Sequence, residues 1–296
     1  MAIVLQESLR AAFYAPFYAA FARGAYAAEG VEVRMVSAPS PAVAATSLLA
    51  GAADLCWGGP MRVMATYESN PACDLVCFGE AVTRDPFLLL GRAPNPGFQL
   101  ADLASLRLGS VAEVPTPWLC LQQDLRDAGV DPDAIARVAD RDMAANVAAL
   151  RAGTLDVVQV FEPFAAALET EGAGHVWYAA ARRGPTAYTC FYAPRATIAA
   201  QRPGFGAMVR GLGATLTWIA TATPDEIAAT VAPWFPDTPP ALLARAYARY
   251  QALGVWGRTP ALDRAGYARL RASLVSGGFV AAGVPFDRAV DNTLAA

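Results

Sequence analysis

The sequence predicts an α/β protein of two lobes, each built on a mostly parallel sheet, joined by two extended crossings, with a ligand cleft between them. Three observations lead there. A β-α-β-α-β order of patterns opens the chain, the same order returns further along, and the two halves share a short phrase.

The apolar run Ile3–Glu7 reads as a strand, followed by a loop at Ser8–Ala12 and a helix from Pro16 to Ala22. Pro16 suits a first helical turn, and Gly24 and Gly30 punctuate the exit. Val31–Val36 alternates as a second strand, Ala42–Ala50 has helical composition and stops at Gly51, and Asp54–Trp57 is an apolar strand. In the second half Leu106–Val111 reads as a strand, Thr116–Asp127 as a helix and Ala134–Val138 as a short element. Ala144–Leu150 is then a helix and Val157–Phe161 an apolar strand. The shared phrase is Ala50-Gly51-Ala52-Ala53-Asp54-Leu55 leading to Pro60, and Ala152-Gly153-Thr154-Leu155-Asp156-Val157 leading to Pro163. In both, a helix stops at glycine, an aspartate caps the entry to a buried strand, and the strand's far end meets a proline.

The crossings are Thr83–Arg92, with its run Phe87-Leu88-Leu89-Leu90, and Thr186–Tyr192. The chain from Pro203 onward is helical in character and is expected to pack back on the first lobe. Residues 1–84 with 190–296 make the first lobe and residues 85–189 the second. In open α/β sheets ligands bind beyond the carboxyl ends of the strands, so facing lobes predict a cleft that closes by a hinge.

Composition narrows the function. With 55% hydrophobic and 17% charged residues the chain has ample core and is not disordered. A net charge of −3 without a contiguous basic footprint disfavours nucleic acid. All 23 basic residues are arginine, so lysine chemistry is excluded, and His175 is the one histidine. The five cysteines (Cys56, Cys73, Cys77, Cys120, Cys190) are odd in number and lack a C-x-x-C spacing, which argues for buried thiols over zinc or a disulfide framework. The uncharged stretches Met35–Ala53 and Ala11–Ala22 carry prolines, and the second is also short of a bilayer's thickness, so no membrane insertion is expected. The first residues read as a strand and not as a leader, which suits the cytoplasm, or the periplasm if a leader has been trimmed.

Several phrases carry a family resemblance. They are Tyr14-Ala15-Pro16-Phe17-Tyr18 with Gly24 and Glu29-Gly30-Val31, then Leu49-Ala50-Gly51-Ala52-Ala53-Asp54, Leu100-Ala101-Asp102-Leu103, Phe161-Glu162-Pro163 and Val290-Asp291-Asn292. In this series the chain resembles the solute-binding proteins for nitrate, sulfonates, taurine and thiamine-pyrimidine precursors, a group that includes the fungal thiamine pyrimidine synthase. The resemblance implies a type II periplasmic-binding-protein fold. It also implies a monomer that binds a small molecule without cofactor, metal or catalytic residue and delivers it to an ABC transporter permease. The fungal synthase consumes pyridoxal phosphate held by a lysine, uses a histidine, and carries a Cys-Cys-Cys-Phe-Cys motif. This chain offers Gly58 and Arg62 where those two residues are expected, and Tyr188-Thr189-Cys190-Phe191-Tyr192 in place of the motif. A sulfinate desulfinase of the same fold uses a cysteine near the first lobe's cleft, and here no cysteine precedes Cys56. The alternatives are a cytoplasmic enzyme on this scaffold, relying on Glu162, Cys190, Cys56 or tyrosines, and a cytoplasmic ligand sensor.

On this fold Tyr14 stands at the cleft lip, either as a wall or hydroxyl for the ligand or as packing beside Phe13 and Phe17. In Trp57-Gly58-Gly59-Pro60 the glycines let backbone amides approach a bound group, or simply make a tight turn. Val114-Pro115-Thr116-Pro117-Trp118 is the counterpart in the second lobe. Its helix N-terminus suits an anionic or strongly polar ligand, with Pro115 and Thr116 at the lip and Trp118 as a second aromatic face. The bland reading makes Thr116 a cap and Trp118 core. Ser40 and Thr83 are analogous loop hydroxyls, and Tyr188 joins the set from the returning crossing. Glu162 ends an apolar run, so it reaches solvent, pairs with an arginine, or accepts donors from an aminopyrimidine or amine. Arg62 and Arg84 are candidates for an anion or are surface residues, and His175 begins a strand.

Overall fold

The computed structural model describes residues 2–70 and 72–295. The first half runs β1 (Ile3–Glu7), α1 (Ala15–Ala22), α2 (Ala25–Ala28), β2 (Val33–Ser37), α3 (Ala44–Leu49), β3 (Leu55–Gly58), α4 (Pro60–Ser69) and β4 (Leu75–Val82). The second runs β5 (Leu88–Gly91), β6 (Arg107–Gly109), α5 (Thr116–Asp127), β7 (Ala136–Val138), α6 (Met143–Arg151), β8 (Val157–Val160), α7 (Phe164–Thr170) and β9 (His175–Ala179). The chain then returns through β10 (Thr189–Pro194) to α8 (Arg195–Ala200), α9 (Arg202–Ile219), α10 (Pro224–Val231), α11 (Pro240–Leu253), α12 (Arg264–Ser276) and α13 (Phe286–Ala289).

Two five-stranded mixed sheets result, ordered β2-β1-β3-β10-β4 and β7-β6-β8-β5-β9. The orders are the same with the names exchanged. In each, three parallel strands stand beside one antiparallel strand, which separates them from the last. The antiparallel strands β10 and β5 lie in the two crossings, so each sheet receives the first strand the chain forms after leaving the other sheet.

The shared phrase does the same mechanical job twice. Gly51 (φ 80°) and Gly153 (φ 72°) take the left-handed conformation that ends a helix without a Cβ penalty. The Asp54 amide donates to the Val4 carbonyl at 2.9 Å, and its Oδ2 accepts the Val4 amide at 2.7 Å. In the second sheet the Asp156 amide donates to the Arg107 carbonyl at 3.0 Å, and Oδ2 accepts the Arg107 amide at 2.9 Å. Each aspartate clips the entry of the third strand to the first, and the proline past that strand opens α4 or immediately precedes α7.

The C-terminal helices correct one expectation. α9 lies on α1, α2 and β4, as a layer on the first half would, but α11 reaches α7 and α12 packs on α5 as well as α4. The stripe Leu243, Ala246, Tyr247 and Tyr250 buries α11 at helical spacing, while Arg245 and Arg249 on its flank pair with Glu169 of α7. α12 is tied to α5 through Ser276, which donates to Gln123 at 2.6 Å and accepts from Arg126 at 3.3 Å. The five cysteines are buried and unpaired. Among the described residues no helix is long and apolar enough to cross a membrane.

Candidate functional site

The segments that follow the carboxyl ends of β1, β2, β3, β6 and β8 converge on one cleft of about 500 Å3 when the solvent-open space at its mouth is counted. A concave, largely apolar wall with a few convergent polar groups is the kind of place where small molecules bind. The first half contributes Ser8, Leu9, Phe13, Tyr14 and Pro41, together with Gly59, Met61 and Arg62 from the start of α4. The second contributes Val114, Thr116 and Phe161, and the crossings add Phe87 and Tyr188.

Phe13 and Phe161 meet edge to face across the gap, with centroids 5.3 Å apart. Both are anchored from behind by the C-terminal region. The Trp256 indole N–H donates to the Phe13 carbonyl at 2.9 Å, and the amide next to Phe161, that of Glu162, donates to the Tyr250 hydroxyl at 2.9 Å. Around the first-half rim, Glu7 accepts from the Tyr18 hydroxyl at 2.5 Å, from Arg10 at 2.9 Å and from Ser37 at 3.1 Å, so this acid is fully engaged within the protein.

Arg62 is the charged side chain on the cleft wall, half-buried and tied to no described carboxylate. Burial pulls its pKa down, opposed by the hydroxyls of Tyr192 and Tyr14 nearby. Tyr14 is buried, with the Ser8 hydroxyl beside it, and burial pushes its phenol well up, which keeps it a neutral donor. Tyr188 also lines the cleft, and its buried hydroxyl lacks a hydrogen-bond partner. Thr116 opens α5 at the cleft wall, and Gln159 fixes that helix start by donating to the Pro117 carbonyl at 2.9 Å.

Of the residues singled out in the sequence, Tyr14, Gly59, Thr116 and Tyr188 therefore stand together on the cleft. Ser40 lies in an adjoining groove that shares Ser8, Leu9 and Pro41 with it. The others stand elsewhere. Trp57 is buried against Phe17, with rings 5.0 Å apart and nearly parallel, inside the first half's core. Trp118 is core as well, with the Arg137 guanidinium 4.4 Å over its ring. Gly58 sits beneath the cleft, where a Cβ would come within 3.1 Å of the Tyr192 ring. Pro115 caps α5, and Thr83 directs its amide to the Val255 carbonyl at 2.9 Å. Arg84 donates to the Ala181 carbonyl at 3.2 Å.

Glu162 takes the structural alternative. Its Oε1 meets Arg249 at 2.5 Å, and its Oε2 accepts the Ala166 amide at 2.9 Å. Burial pushes the carboxyl up and Arg249 pulls it back, and the side chain is fully buried and not part of the cleft wall. Phe13, Phe87, Phe161 and Met61 were not singled out in the sequence. The three phenylalanines shared one signal, an aromatic at the edge of an apolar run within three residues of a proline.

Nucleophilic chemistry finds little support here. Cys56 and Cys190 are fully buried, and burial pushes Cys56 up to about 12 and Cys190 well above the usual thiol range. Reactive cysteines are exposed and electropositively placed, and these are neither. Among the described residues no group of three or more His, Cys, Asp or Glu could hold a metal ion.

The putative binding protein YtlA of Bacillus subtilis (strain 168) is 21% identical over 295 residues, covering 99% of this chain and 88% of that protein. The periplasmic aliphatic sulphonate binding protein SsuA from Escherichia coli superposes with a TM-score of 0.79 at 16% identity, over 97% of this chain and 96% of that one. The desulfurization enzyme DSZB superposes with a TM-score of 0.71 at 16% identity, over 99% and 97%. At these identities the two solved structures speak for the fold: two mixed sheets facing one another, as in periplasmic binding proteins. The family described as NMT1/THI5 like matches residues 12–226, which takes in most of the cleft wall from Phe13 to Tyr188. By that match across most of its length, the chain belongs to the NMT1/THI5-like family.

Proposed function

We propose that this protein is a solute-binding protein that holds a small organic anion between its two halves and delivers it to an ABC-type permease. The bodies that close on the solute are residues 1–84 with 190–296, and residues 85–189. It works as a monomer, in the periplasm. Arg62 carries the reading: a half-buried guanidinium on the cleft wall with no carboxylate among the described residues to neutralise it. A buried charge is costly unless paired, so a negative group on the solute is its natural complement. The acid that would have favoured an amine, Glu162, already has its partner in Arg249. Tyr14, Ser8, Thr116 and Tyr188 supply hydroxyls around the same space, and the start of α5 adds its dipole.

The related proteins lend support. YtlA is named as a binding protein, SsuA is named for aliphatic sulphonates, and DSZB was solved with biphenyl-2-sulfinic acid, so the two solved relatives are linked to anionic sulfur oxygens. The experiment is calorimetric titration of the intact chain with sulfonates, carboxylates, a protonated amine and an aminopyrimidine. Anions are expected to bind, and Arg62→Met to weaken them by about 10- to 100-fold, the value of one charge-assisted hydrogen bond or a little more. Binding of the amine or aminopyrimidine alone, untouched by Arg62→Met, would overturn the proposal.

A further inference from the structure

The cleft contains an aromatic arrangement that an anion site does not require. Phe13 contacts Phe161 at 5.3 Å, Phe161 contacts Phe87 at 5.3 Å, Phe87 contacts Tyr188 at 6.4 Å, and Tyr188 returns to Phe13 at 6.1 Å. These rings form a closed circuit. One comes from the first half, one from the second, and one from each crossing, and all of them line the cleft. Three of the contacts are edge to face, with interplanar angles of 83°, 80° and 89°. Each ring is at most 7% exposed, so it has little freedom to turn aside for a guest of another shape.

Two further observations give the circuit its meaning. Phe13 is pinned through its carbonyl by Trp256, and Phe161 through the amide of the next residue, Glu162, by Tyr250, so the basin is held in shape by the C-terminal region and not by the guest. The Tyr188 hydroxyl, buried and unpartnered, belongs to a ring of the same circuit, a polar atom left over in an otherwise apolar basin. A wall of aromatic rings favours another ring, which can pack edge to face or offset against it, over an alkyl chain of equal size. A donor left unsatisfied by the protein favours a guest that brings an acceptor.

Resting on the anion reading above, we infer that the solute is an aromatic anion: a small arene whose ring packs against the cleft wall made by Phe13, Phe87, Phe161 and Tyr188 and whose sulfonate or carboxylate faces Arg62. The protein thereby selects by the body of the solute as well as by its head.

The test uses matched pairs that share a head and differ in the body: benzenesulfonate against cyclohexanesulfonate, and benzoate against cyclohexanecarboxylate, titrated calorimetrically into the intact chain. The aryl member of at least one pair is expected to bind about tenfold tighter, the gain from one or two aromatic contacts. In Phe161→Leu that ratio should fall to about threefold or less, with the cyclohexyl affinity little changed. Arg62→Met should weaken both members of a pair in parallel and leave the ratio intact. Equal affinities within both pairs overturn the aromatic preference while the anion reading stands. An aryl preference that survives in Phe161→Leu and in Phe13→Leu, each shown folded by its thermal transition, overturns the assignment to this basin. If no anion binds and an amine or aminopyrimidine does, the anion reading falls and this inference with it.

Discussion

Arg183→Met is expected to lower the unfolding free energy by about 3–5 kcal/mol, the cost of removing one partner from a buried ion pair. The Arg183 guanidinium is 7% exposed and pairs with Asp85 at 2.6 Å and with Asp124. Asp85 is itself fully buried and accepts the Phe87 amide at 2.9 Å, while Asp124 accepts the Tyr178 hydroxyl at 2.8 Å. Burial works against the Arg183 charge, and the two aspartates more than restore it. Burial likewise pushes the Asp85 carboxyl up, and Arg183 pulls it down. Methionine keeps the length and loses the charge, so the buried Asp85 carboxylate and the partly exposed Asp124 carboxylate would be left without a cation. Denaturant unfolding at neutral pH measures the loss. A second variant separates pairing from packing: adding Asp85→Asn to Arg183→Met should recover part of the stability, because it removes one of the stranded charges. A loss below about 1 kcal/mol, in the range of an exposed pair, would show that water reaches this cluster.

Glu80→Gln is the second large effect, and its signature is a slope against pH. Glu80 is fully buried in β4, its Oε2 accepts the Asp263 amide at 3.2 Å, and its Oε1 has no partner. Burial pushes the carboxyl from 4.5 to about 8. Between those values the unfolded chain has released a proton that the folded chain retains. The folded state therefore loses about 1.4 kcal/mol per pH unit through this group; the contribution is intact below the unfolded pKa and gone above the folded one. Glutamine does not titrate. Glu80→Gln should gain on the native chain as pH rises from about 5 to 8, by up to ~5 kcal/mol, and run parallel to it beyond. Unfolding curves collected at intervals across that range give the difference directly. A constant difference would mean that the carboxylate ionises normally in the fold.

Much of the architecture was legible because it depends on local pattern. Ile3–Glu7 and Thr116–Asp127 are a strand and a helix with the expected limits, since apolar runs and a proline-led helix start are properties of neighbouring residues. The repeated phrase pointed to equivalent positions, and the paired aspartates at Val4 and Arg107 show why the same residues stand in both. β4 escaped notice because Gly79, at φ 61°, and the acid Glu80 interrupt its apolar run. The pairing with β10 tolerates the interruption through register shifts on either side of Cys190.

The site was legible only in outline. Residues shortly past strand ends, such as Tyr14, Gly59 and Thr116, follow from the strands, which sequence locates well. Trp57 and Trp118 do not, because an aromatic at the end of an element faces core or cleft according to a shift of one residue or a fraction of a helical turn. Glu162 could not be assigned from its surroundings either. Its partner Arg249 lies 87 residues on, in a helix whose placement against α7 is purely tertiary.

The late return of β10 to the first sheet sets an order in time. β4 is laddered to β10 and to no other strand, whereas β5 through β9 close their sheet among themselves. During synthesis the second sheet has all its members once residue 179 has left the ribosome, while β4 waits for residues 189–194. The half translated later is thus the first able to complete itself, and the earlier half stays open along the Leu75–Val82 edge until the returning segment arrives to seal it.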